Sequence, residues 1–84
     1  MNSNWQFVLN QTSVEFLLAC RGREREKLLR ALRQIADDPL QRGDYNARDE
    51  VGRSVQIKLA EKFFITFWAD VLVKELRVIN IERV

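Results

Sequence analysis

The sequence predicts an α+β fold: an N-terminal strand, an αα-hairpin and a three-stranded antiparallel meander, all in one domain covering residues 1–84. Three observations carry this. Ser54–Ala60 alternates strictly, with Val55, Ile57 and Leu59 on one side and Ser54, Gln56 and Lys58 on the other. Phe63–Trp68 is aromatic or β-branched throughout, and Lys74–Arg83 is extended by the same criteria. Upstream, Leu28, Leu32, Ile35 and Ala36 recur at helical spacing. The links within the C-terminal third, Glu61-Lys62 and Ala69–Leu72, leave no room for crossover helices, so the strands pair antiparallel.

In chain order, Trp5–Leu9 is rich in strand-forming residues. Thr12-Ser-Val-Glu15 matches a capping box and predicts a helix over about Ser13–Cys20. Arg21-Gly22 interrupts it, glycine being suited to the left-handed conformation that ends helices. A second helix is expected over about Arg23–Asp37, its charged residues opposite the apolar stripe, and Pro39 ends it. Leu40–Arg53 is polar and reads as a connector, with Gly43 and Gly52 as turn candidates and room for a turn of helix. The sheet is then four-stranded, with the helical hairpin on one face.

At 84 residues, 46% hydrophobic and 31% charged, the chain is a globular domain rather than a disordered segment. Its one cysteine, Cys20, has no internal disulfide partner, which fits a reducing compartment. No apolar run approaches the roughly 20 residues of a membrane span, and the first ten residues lack the pattern of a secretory signal. A cytoplasmic location is expected. Net charge is only +2, but six basic residues fall between Arg21 and Arg33, beside an acidic-leaning stretch from Asp37 to Glu50. The paired carboxylates Asp37/Asp38 and Asp49/Glu50 show no convergence toward a metal, and the glycines lack phosphate-loop spacing. No cofactor or metal is expected.

If Ile57, Leu59, Ile65 and Phe67 face the helices, alternation puts Gln56, Lys58, Phe64, Thr66, Trp68, Glu75, Arg77, Ile79, Ile81 and Arg83 on the opposite face. That face is either an ordinary two-sided sheet whose long cationic stems cover apolar area, or a binding face. In the second case Gln56, Phe64, Thr66, Trp68, Ile79 and Ile81 contact a partner or a second copy of the chain, with Trp68 as an aromatic anchor.

Several motifs, taken in order, resemble one family. They are Leu32-Arg-Gln-Ile-Ala-Asp-Asp-Pro39, Gly43-Asp44, Gly52-Arg53, Val55-Gln-Ile-Lys-Leu59, Phe64-Ile-Thr-Phe-Trp-Ala-Asp70 and Lys74-Glu-Leu-Arg-Val78. Together with the element order they resemble the RelE/ParE toxin superfamily of bacterial toxin–antitoxin modules, across almost the whole chain. The resemblance implies a growth-inhibiting toxin that acts on ribosome-bound messenger RNA or on DNA gyrase and is neutralised by an antitoxin protein. For the RNA-cleaving branch it implies catalytic roles for Lys58 and Arg83, with Arg53 and Arg77 assisting. The sequence departs from that branch at the apolar Phe64, has no histidine, and reaches Val84 without a terminal tyrosine or histidine. Enzyme activity is therefore left open. A non-catalytic gyrase poison and an inactive homologue, serving as a protein-interaction module on the same scaffold, stay beside it.

Overall fold

The computed structural model describes residues 5–84. The chain is α+β, with two helices against one five-stranded mixed sheet. The elements are β1 (Gln6–Leu9), α1 (Gln11–Ala19), α2 (Gly22–Asp37), β2 (Tyr45–Arg48), β3 (Ser54–Ala60), β4 (Phe63–Asp70) and β5 (Glu75–Arg83). Strand order is β1-β5-β4-β3-β2, with β1 parallel to β5 and the other pairs antiparallel.

The expected four-stranded sheet gains a strand, because part of the Leu40–Arg53 connector is β2 and not a loop or a turn of helix. All four β2 residues are exposed, so main-chain pairing with Ser54–Ile57 holds the strand rather than an apolar face. Two side-chain contacts fix its approach. The Gly43 N–H donates to Gln56 Oε1 at 2.7 Å, and Asp44 Oδ2 accepts from the Leu59 N–H at 2.7 Å. A Cβ at Gly43 would stand 2.5 Å from the Ile57 carbonyl oxygen, so only glycine permits this backbone contact. The β2–β3 loop closes on Asp49, whose Oδ1 accepts from the Val51 and Arg53 N–H groups.

Two helices follow in succession as expected, but α1 ends at an extended Cys20, and Gly22, at φ +52°, opens α2 instead of ending α1. The cap of α1 differs. Asn10, not Thr12, is its N-cap, and the Asn10 side chain accepts from the Ser13 N–H at 2.9 Å. Glu15 instead takes a hydrogen bond from Gln11. The core joins Leu28, Leu32 and Ile35 of α2 to Phe63, Ile65 and Phe67 of β4 and Leu76, Val78 and Ile81 of β5.

Two features reset the face assignment. In β3, Gln56 pairs with Phe67 and Lys58 with Ile65, so both polar residues lie on the helix side and Ile57 and Leu59 on the open side, the reverse of the expectation. In β5, a bulge at Ile79 adds one residue between the Thr66–Asn80 and Phe67–Val78 pairs. One extra residue reverses the alternation. Ile81, only 4% exposed, and Arg83 are thereby carried to the helix side, not the open face.

Candidate binding face

The open side of the sheet is built around Trp68. Strand alternation in β4 puts Phe64, Thr66 and Trp68 there, and pairing adds Arg77 opposite Trp68, Asn80 opposite Thr66 and Glu82 opposite Phe64. β3 contributes Val55, Ile57 and Leu59, and β2 contributes Tyr45, whose ring lies 6.2 Å from that of Phe64. Val55 is buried outside the main core, whereas Tyr45 and Leu59 are exposed. The face thus has an apolar, aromatic end and a cationic end.

At the cationic end the Arg53 guanidinium stacks 4.0 Å from the Trp68 ring centre, and that of Arg77 lies at 5.8 Å. Arg77 is fixed by Glu75 at 2.8 Å and Asp70 at 3.3 Å. Arg53 Nε is 3.6 Å from Asp49, the same carboxylate that closes the β2–β3 loop. Folding of that loop therefore delivers Arg53 to Trp68. Phe64, Thr66, Trp68 and Arg77 share this face as the sequence suggested, and the structure adds Arg53 to them. Ile79, at the bulge, lines a cleft of about 530 Å³ between β5 and the β2–β3 loop.

Gln56, Lys58, Ile81 and Arg83 are placed elsewhere. Gln56 supports Gly43, and Lys58 Nζ lies 4.0 Å from Asp44. Ile81 is core. Arg83 forms a two-pronged bond to Glu24, at 2.6 and 3.0 Å, and its guanidinium lies 4.6 Å from the Phe16 ring centre. It thereby clasps the last strand to both helices. Each of the four cations to which the resemblance gives a catalytic or assisting role has a carboxylate neighbour, and Lys58 and Arg83 stand across the sheet from Trp68. Sequence reading missed the Arg53–Trp68 stack and the Arg83–Glu24 clasp. Their partners lie 15 and 59 residues apart, and no local pattern marks them.

The clasp has an electrostatic signature. Hydrogen bonding from Arg83 holds the Glu24 carboxyl below its ordinary value of 4.5. Burial, then the nearby Glu24 charge, raises the Cys20 thiol above 9.0, so it stays protonated at neutral pH. A carboxyl depressed by folding contributes stability that is present above its unfolded value and lost as pH falls through its folded value. Thermal midpoints followed over roughly pH 5 to 3 should drop less steeply in Glu24→Gln than in the parent chain. Parallel profiles would show that the clasp adds no pH-dependent stability.

Among the described residues, no group of three or more His, Cys, Asp or Glu side chains is placed to hold a metal, and no helix is long and apolar enough to cross a membrane. Comparison of the chain with protein-family models, curated proteins and solved structures gave no match in any of the three. The molecule is thus characterised by its own architecture, an α+β sheet with one helical layer and one open face bearing an arginine-flanked tryptophan.

Proposed function

We propose that this protein is the toxin component of a toxin–antitoxin pair of the RelE/ParE kind, acting in the cytoplasm and neutralised by an antitoxin. Its mode is binding a macromolecular target, with DNA gyrase favoured over ribosome-bound messenger RNA. The observation that carries this is the Trp68 cluster on an otherwise uncovered sheet face, with Arg53 and Arg77 beside the ring. An aromatic anchor flanked by guanidinium groups is the composition of an interaction hot spot. Binding without cleavage is favoured because Lys58 and Arg83 each lie beside a carboxylate and the sequence has no histidine for proton transfer near neutral pH. The antitoxin, or a second copy of the chain, would cover the apolar end formed by Tyr45, Leu59 and Phe64.

Induced expression in a bacterial host, alone and with a neighbouring gene, tests this reading. Growth arrest with a DNA-damage response, relieved by the neighbour, is the expected result. Arrest through loss of translation would move the target to messenger RNA, and Lys58→Ala combined with Arg83→Ala should then abolish cleavage. Folded protein that arrests nothing would leave a non-catalytic interaction module.

A further inference from the structure

β2 is the outermost strand on one side of the sheet, and all four of its residues are exposed. The direction of its main-chain groups follows from its neighbours. The Asp49 N–H donates to the Arg53 carbonyl and the Leu59 N–H is turned to Asp44, so the odd-numbered residues of β3 point their main-chain groups at β2. Tyr45 and Ala47, paired with Ile57 and Val55, answer them. Asp44, Asn46 and Arg48 therefore aim their N–H and C=O groups outward, a template for another strand. We infer that a second copy of this chain pairs with it, β2 against β2 and antiparallel, about a two-fold axis at Asn46.

Charge selects both the occupant and the register. With Asn46 facing its own copy, two-fold symmetry sets Asp44 opposite the partner's Arg48 at each end of the ladder. Opposite charges directly across a strand pair stabilise it, and like charges destabilise it. The pairing side chains share one side of the sheet. Asn46 and Arg48 lie across from Gln56 and Ser54, and the Asp44 carboxylate reaches toward Lys58. Arg48 gives one N–H to the Gly52 carbonyl and keeps its other donors for the contact. A slip of two residues carries Arg48 toward Arg42 or Asp44 toward Glu50, and a slip of one sets outward main-chain groups against inward ones. On the open face the same register puts Tyr45, 59% exposed, against the partner's Ala47, whose small side chain leaves room for the ring. The dimer does not depend on the toxin reading, because the purified chain alone suffices to measure it.

Sedimentation equilibrium of the purified chain, from micromolar to millimolar concentration, should show a monomer–dimer transition. Asn46→Pro removes an outward N–H that β3 does not use, so the variant should stay folded by far-UV circular dichroism and remain monomeric. Arg48→Glu sets carboxylates against each other at both ends and should weaken dimerisation at least about tenfold, a gap that narrows in high salt. In a mixture of ¹³C-labelled and unlabelled chains, intermolecular Hα contacts should join Tyr45 to Ala47, which this register makes a non-hydrogen-bonded pair. Should Asn46→Pro fail to fold, the salt dependence of Arg48→Glu and the Tyr45–Ala47 contacts decide the matter. A chain that stays monomeric at every concentration, a dimer indifferent to Arg48→Glu, or intermolecular contacts centred on Trp68 or on α1 would overturn the inference.

Discussion

Phe67→Ala is expected to cost about 3–5 kcal/mol of folding stability, the range for removing a large aromatic side chain from a packed core. Phe67 is 1% exposed, in a central strand facing the helices. It pairs with Gln56 on one side and Val78 on the other, and packs in the cluster that holds Leu28, Leu32 and Ile35 of α2. A domain of 84 residues has little reserve, since typical stabilities are only ~5–15 kcal/mol. The thermal midpoint should therefore fall by at least about 12 °C. Leu72→Ser at the β4–β5 turn, where the side chain is 92% exposed, should change stability by less than about 0.5 kcal/mol. Urea unfolding of the two variants side by side checks the contrast. A loss below about 1.5 kcal/mol for Phe67→Ala would mean that the sheet can close over the cavity, and that the helices are not anchored through β4.

What the sequence made legible followed from local periodicity. The Leu28–Leu32–Ile35 stripe with Pro39 beyond it located α2 to within a residue or so, and the C-terminal strands were readable because β3 alternates apolar with polar residues, Phe63–Trp68 of β4 is aromatic or β-branched, and β5 intersperses Leu76, Val78, Ile79 and Ile81 with polar residues. β2 was not readable. Of Tyr45-Asn-Ala-Arg48 only Tyr45 favours a strand, and the segment is extended because the backbone of β3 offers it partners. Thr12–Glu15 fitted a capping box, yet Asn10 is nearer the end of β1 and its amide also donates to the Ile79 carbonyl, so tertiary contact chose the cap.

The site was legible by halves for the same reason. Alternation in β4 and the first half of β5 correctly grouped Phe64, Thr66, Trp68 and Arg77. Beyond Ile79 the bulge broke the parity, and Ile81 and Arg83 moved to the core side. In β3 the apolar residues were assigned to the helices, but α1 and α2 pack over β1, β5 and β4, leaving β3 toward the margin of the helical layer. Its Ile57 and Leu59 then turn toward the open face, and Lys58 turns to Asp44. A parity argument holds only between irregularities, and sequence does not announce a bulge.

If the chain arrests growth on induction as proposed, Trp68→Ala is expected to abolish that arrest, while Trp68→Phe preserves most of it. The reason is geometric. The ring is the common support of Arg53, delivered by the β2–β3 loop, and Arg77, delivered by β5. Truncation removes an aromatic anchor and leaves both guanidinium groups held only by their carboxylates, Asp49 on one side and Asp70 with Glu75 on the other. Losing a hot-spot aromatic costs 2 kcal/mol or more of binding, roughly a 30-fold weakening. Trp68 is only half-buried and lies outside the main core, so the variant should keep its far-UV circular dichroism and most of its thermal stability. Phenylalanine retains an aromatic face for the guanidinium groups, though tryptophan is the stronger partner. A folded Trp68→Ala protein that arrests growth as the parent does would remove the open face from the mechanism and turn attention to the outer surface of the helical hairpin, where Val14 and Leu18 are exposed one turn apart on α1. A variant that fails to fold would show instead that the Trp68 cluster supports the β2–β3 hairpin, and Arg53→Lys, which keeps the charge but weakens the stack, would then separate support from binding.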